Sequence, residues 1–124
     1  MATQPDKIVV ISGAFDCISQ NDIRYLKQCT LISDWLIAGV HSDRYLEKIE
    51  DFPVQNYETR RGIISELVDE VLTFDDMDGS SIQLLKVVKL CYPGAQITYI
   101  TNKDLINSPE LKVKGIKFIM LKQE

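Results

Sequence analysis

Residues Lys7 to Leu26, KIVVISGAFDCISQNDIRYL, set strand, tight loop and helix in immediate succession, and the fold class follows from that order. The apolar run Ile8 to Ile11 ends at Ser12-Gly13. A Gly-Ala-Phe-Asp turn follows, and then an amphipathic helix opens near Gln20-Asn21-Asp22. A helix start offers unpaired backbone N–H groups and the positive end of a dipole, which is what a phosphate requires. A glycine just before it lets the backbone approach a ligand closely.

The same alternation continues along the chain. Ile8–Ser12 reads as a buried parallel strand, and Asp22–Cys29 as a helix with Ile23, Leu26 and Cys29 on one face. Trp35–Val40 is a second strand, and Ser42 is placed to cap a helix over Asp43–Ile49. Asn56 caps a further helix, Tyr57–Val68. Glu70–Phe74 is a third strand, Asp75–Gly79 an acidic turn, and Ser80 or Ser81 starts a helix through Cys91. Gln96–Thr101 and Lys117–Lys122 complete five strands, with an irregular stretch at Leu105–Lys112 between them. Strands separated by helices imply βαβ units, hence an α/β fold with a mostly parallel five-stranded sheet. In such sheets a ligand sits beyond the carboxyl ends of the strands, where strand order switches. Gly13–Asp16 and Thr101–Asp104 both follow strands and are expected on that rim.

Composition narrows the classes. The 124 residues fit one domain spanning 1–124, and 45% apolar with 26% charged residues is ordinary for a globular protein. A net charge of −4 argues against nucleic-acid binding, which wants a basic face. Cys17, Cys29 and Cys91 are odd in number and form no Cys-x-x-Cys pair, so free thiols are expected rather than structural zinc. No apolar run approaches the roughly 20 residues of a membrane span. The first six residues lack the basic start and apolar stretch of a signal peptide, so a cytoplasmic protein is expected.

Several motifs in order carry a family resemblance. They are Gly13-Ala14-Phe15-Asp16 with Ile23-Arg24-Tyr25-Leu26, then Asp34 to Asp43, then Phe52-Pro53-Val54-Gln55-Asn56-Tyr57-Glu58-Thr59-Arg60-Arg61, and finally Val68-Asp69-Glu70-Val71. Together they resemble the cytidylyltransferases for glycerol 3-phosphate, phosphocholine and phosphoethanolamine. The likeness covers residues 7–74 well and 95–122 loosely. It implies a Rossmann-like three-layer nucleotidyltransferase fold and, for an active member, transfer of CMP or AMP from CTP or ATP with Mg2+ to a small phosphorylated substrate. By position it assigns Gly13, Ala14, Phe15, Asp16, Asn102 and Lys103 to the nucleotide and Arg60 to a substrate phosphate.

Where the family's first motif carries His-x-Gly-His, this chain reads Ser19-Gln20-Asn21-Asp22. Ser19 replaces one histidine with a neutral donor, and Asp22 replaces the other with a carboxylate that repels phosphate. A family lysine aligns with Glu50, and Lys48 lies two residues away. No Arg-Thr-x-Gly-Ile-Ser motif follows Lys117–Lys122, so a site lacking that closing segment is expected. Asp22 equally suits the first turn of a helix, where an acid stabilises the dipole. His41, the single histidine, is expected to be structural.

Three readings remain at this point. The first is a degenerate nucleotidyltransferase that keeps the fold and a nucleotide or phosphate pocket. The second is an active transferase whose altered site uses Ser19, Arg60 and Lys103. The third is an interaction module that binds no nucleotide. A homodimer accords with the family, with Trp35, Tyr45 and Phe52 as large apolar groups available to an interface, although core packing suits Trp35 better.

Overall fold

The computed structural model describes residues 5–103, 105–106 and 108–121. Lys7–Gly13 forms β1, with Ile8, Val9, Val10 and Ile11 all buried. Both faces of this strand are covered, which is why its sequence is continuously apolar rather than alternating. Ile8 and Val10 face one apolar layer, with Leu84, Leu85 and Val88. Val9 and Ile11 face the other, with Leu26, Cys29 and Ile64.

The remaining elements follow in chain order: α1 (Gln20–Leu31), β2 (Trp35–Val40), α2 (Asp43–Lys48), α3 (Tyr57–Ser65), β3 (Glu70–Leu72), α4 (Ile82–Cys91), β4 (Gln96–Thr101), a 3-10 helix at Pro109–Lys112 and β5 (Ile116–Met120). The sheet order is β3-β2-β1-β4-β5, and every pair is parallel. The chain moves outward from β1 to β3, with α1 and α3 packed on one face. It then returns through α4 on the other face to β4 and β5. Keeping one handedness while reversing direction requires that change of face, and the result is three layers. The order reverses between β1 and β4, so the crevice lies beyond their carboxyl ends.

Helix starts agree with the capping residues read from the sequence. Ser42 Oγ accepts from the Tyr45 N–H at 3.0 Å, and Asn56 Oδ1 from the Thr59 N–H at 2.9 Å. Several ends differ from expectation: β1 runs on to Gly13 and α1 to Leu31, and α2 stops at Lys48. The third helix stops at Ser65, because the Leu67 and Val68 N–H groups fold back onto the Ile64 carbonyl before β3 begins. β3 ends at Leu72 rather than at Phe74, whose ring turns into the apolar layer beneath Gly39. β5 runs Ile116–Met120; the expected end at Lys122 lies outside the described residues. Gly39 permits this close packing, since a Cβ there would meet a Leu84 methyl at 2.5 Å and the Phe74 ring at 2.8 Å. Trp35 packs against the core and donates from Nε1 to Glu70 at 2.9 Å, whereas Phe52 is 69% exposed. No helix among the described residues is long and apolar enough to cross a membrane.

Candidate functional site

A cavity of about 700 Å³ opens at the β1/β4 crevice. Its wall includes Ser12–Asp16 from the end of β1 and Asp22, Tyr25 and Leu26 from α1. His41, Tyr45 and Asp51 come from the segment after β2, Ser81 from the start of α4, and Thr101–Lys103 from the end of β4. The residues expected around a nucleotide, Gly13, Ala14, Phe15, Asp16, Asn102 and Lys103, therefore share one wall. Asp104, expected on the same rim, lies outside the described residues.

The loop after β1 is held in an uncommon conformation. Phe15 and Cys17 adopt positive φ angles of 51° and 52°, a region that side chains with a Cβ seldom enter. Asp16 supplies the restraint, because its two carboxylate oxygens accept from the Val54 N–H at 2.7 Å and the Gln55 N–H at 2.9 Å. Burial pulls the Asp16 carboxyl up, but these two bonds and the Arg60 charge outweigh it and hold the group below its ordinary range. Asp16 thus ties the loop to residues 54–55.

Arg60 is a second tie. It is fully buried and lies beneath the loop, not on the cavity wall. Nε donates to the Gln55 carbonyl at 3.0 Å, and Nη1 donates to the carbonyls of Ala14 and His41, both at 2.8 Å. Nη2 donates to Asp43 Oδ1 at 2.7 Å. The fork geometry of the guanidinium joins three chain segments, at Ala14, His41–Asp43 and Gln55, that a lysine could not bridge. These bonds engage the group that the resemblance associates with a substrate phosphate.

At the start of α1, Asp22 donates its N–H to Ser19 Oγ at 3.2 Å, and the Ser19 N–H donates to Asp22 Oδ2 at 2.8 Å. This is a reciprocal capping box, formed by the two positions that the resemblance sets against histidines. The Asp22 side chain also lines the cavity. Among the described residues of the wall, Asp16, Asp22, Asp51 and Glu110 are four acidic residues, and Lys103 is the one lysine or arginine. Lys48, near the family's lysine position, donates to the Met77 carbonyl at 3.2 Å and does not line the cavity, and neither does Glu50.

Two polar groupings on the wall escaped the sequence reading. The hydroxyls of Ser12, Ser81 and Tyr99 bond to one another across β1, α4 and β4. His41 Nδ1 lies 3.0 Å from Asp76 Oδ2, which also accepts from the Ser42 N–H at 2.7 Å, while Oδ1 accepts from the Ser42 hydroxyl at 2.9 Å. Asp76 stands 35 positions from His41, inside a turn legible only as acidic, so no local spacing announced the pair. Among the described residues, no three His, Cys, Asp or Glu side chains converge as metal ligands.

No family model matches the chain. Among curated proteins it is 38% identical over 73 residues to the ethanolamine-phosphate cytidylyltransferase of Dictyostelium discoideum, covering 54% of this chain and 20% of that protein. It is 29% identical over 119 residues to the bifunctional protein HldE of Campylobacter fetus, covering 90% of this chain and 25% of that one. The chain therefore spans a quarter or less of the length of these relatives. Among solved structures, the lipopolysaccharide core biosynthesis protein of Thermoplasma volcanium superposes with a TM-score of 0.72 at 20% identity, over 97% of this chain and 98% of that one. A Vibrio parahaemolyticus structure assigned as a nicotinate-nucleotide adenylyltransferase gives 0.67 at 14% identity, over 96% and 75%. By sequence likeness and fold together, the chain is cytidylyltransferase-like and carries the nucleotidyltransferase fold.

Proposed function

We propose that this chain is a degenerate nucleotidyltransferase that binds a small phosphorylated molecule in the β1/β4 cavity without transferring a nucleotidyl group efficiently. The observation that carries this reading is the Ser19–Asp22 capping box. A phosphate at a helix start needs free N–H groups and neighbouring cations. Here the first turn is closed by its own side chains, and one of them is a carboxylate on the cavity wall. Like charges about 4 Å apart repel by about 1 kcal/mol in water and about 4 kcal/mol near a protein surface. Nucleotidyl transfer depends on neutralising charge as pyrophosphate leaves, and removing a single such donor costs about two to three orders of magnitude in rate. Arg60, with its bonds directed inward, offers no ready replacement.

Calorimetry with CTP, ATP and pyrophosphate tests binding, and a pyrophosphate-release assay tests transfer. The expected result is weak binding without release. Heat with none of the nucleotides or phosphates would favour an interaction module, for which exposed Phe52 and Val54 supply apolar surface. Release would favour a rebuilt active site, a reading supported by Lys103 and His41 on the wall. The free thiols fit a reducing compartment such as the cytoplasm. A homodimer belongs to the same reading, and light scattering on the purified chain measures it.

A further inference from the structure

Asp76 is 3% exposed and accepts three hydrogen bonds, two of them from Ser42 and one from the His41 ring. A carboxylate can only accept, so the proton in the His41 contact sits on Nδ1. The ring is packed between Tyr45, at 4.9 Å between centroids, and Phe74, at 5.5 Å. Its backbone N–H donates to the Gly13 carbonyl at 2.9 Å, which fixes it beside the β1 loop. No buried side-chain nitrogen or oxygen among the described residues lacks a partner. With Nδ1 engaged by Asp76 and the imidazole on the cavity wall, Nε2 is the atom left to face the cavity.

We propose that His41 Nε2 accepts a hydrogen bond from a hydroxyl or ammonium group of the bound small molecule, with Asp76 as the positioning residue that fixes the tautomer. The proposal rests on the reading that the cavity takes a small phosphorylated molecule, and it specifies a donor group on that molecule. Burial, together with the positive charges of Lys103 and Arg60, outweighs the pull of Asp76 and holds the imidazole below its ordinary pKa. Nε2 is therefore a bare lone pair at neutral pH. A phosphate oxygen, itself an acceptor, gains nothing there. A ligand hydroxyl or amine does, and the Tyr45 ring beside the imidazole on the same wall suits an ammonium donor.

His41 is the chain's only histidine, so its ring nitrogens give unique NMR signals in histidine-labelled protein. At pH 7.5 the free protein should show Nδ1 protonated and Nε2 bare. Three phosphates of nearly equal size then serve as probes: ethyl, 2-hydroxyethyl and 2-aminoethyl phosphate. The last two separate a hydroxyl from an ammonium source. A donor-bearing probe should move the Nε2 signal and bind about tenfold more tightly than ethyl phosphate, a gap of one good hydrogen bond. His41→Phe, which keeps the packing with Tyr45 and Phe74, should abolish the gap. Asp76→Ala removes the acceptor that fixes the tautomer; a share of the protons should move to Nε2, read from the same ring signals, and the gap should shrink. A free protein with Nε2 protonated overturns the proposal, as does a gap that survives in His41→Phe. Binding of donor-bearing probes with Nε2 unmoved overturns it while sparing the cavity reading. If none of the three binds, both fall.

Discussion

Ser19 and Asp22 satisfy each other across the first turn of α1, with N–H to side-chain bonds of 2.8 and 3.2 Å in opposite directions. The pair stabilises the helix and, by the same bonds, closes the helix start to an incoming phosphate. Ser19→Ala should therefore lose about 1 kcal/mol of stability, read from the urea midpoint. Replacing both residues with histidine should lose stability similarly but raise affinity for pyrophosphate, measured by calorimetry. A double variant of unchanged stability would show that the box contributes nothing.

Arg60 ties the β1 loop to α3 and the segment after β2. Arg60→Met should destabilise the chain by about 3 to 5 kcal/mol, because the Ala14, His41 and Gln55 carbonyls and the Asp43 carboxylate lose their donor together. Arg60→Lys should recover only part of that, since one ammonium cannot span the four acceptors. Chemical denaturation of the three proteins checks the order.

Gly39→Ala inserts a methyl where Leu84 and Phe74 already sit at contact distance. Overpacking of this kind costs about 1 to 3 kcal/mol. Melting temperature should fall without loss of the parallel-sheet circular dichroism signal.

Acid should weaken the fold in two windows. The folded His41 resists a proton that the unfolded chain accepts, so stability declines as pH drops below about 6.5 toward the folded value. Asp16 and Asp43 are both held below 3.8 when folded. For each, burial acts upward, while backbone N–H bonds and Arg60 outweigh it. Their stabilisation is present above that value and is lost as pH falls through the lower folded ones. Urea titrations at pH 7.5, 5.5 and 3.5 measure both windows, and His41→Phe should flatten only the first.

Thiol accessibility offers an independent check on packing. Cys17 and Cys91 are exposed, whereas Cys29 is buried and its thiol is pushed up to about 11 by that burial. Ellman's reagent should modify two thiols on the native chain, and the third only on unfolding. Three fast thiols would contradict the placement of α1.

The sheet was legible because β1 and β2, buried on both faces, read as unbroken apolar runs, while β4 carries the β-branched and aromatic residues Ile97, Thr98, Tyr99 and Ile100 between helix and loop. Two of them, Trp35–Val40 and Gln96–Thr101, have the expected limits. Helix starts were legible because a cap acts within three residues, as at Ser42 and Asn56. Helix and strand ends were less so: α3 stops where the chain folds back onto the Ile64 carbonyl and β3 where Phe74 turns into the core, and no residue near Ser65 or Leu72 signals it. The rim loops were recognisable from Gly13–Asp16 and Thr101–Lys103. The wiring between them was not, because Arg60 reaches Ala14 and Asp76 reaches His41 across gaps of 46 and 35 positions.

The most direct measurement is pyrophosphate release by the purified chain, given CTP or ATP with Mg2+ and either glycerol 3-phosphate or ethanolamine phosphate. A helix start closed by Ser19 and Asp22 on a carboxylate-lined cavity should yield no release above the uncatalysed background. Sustained turnover proportional to protein concentration would contradict a degenerate site.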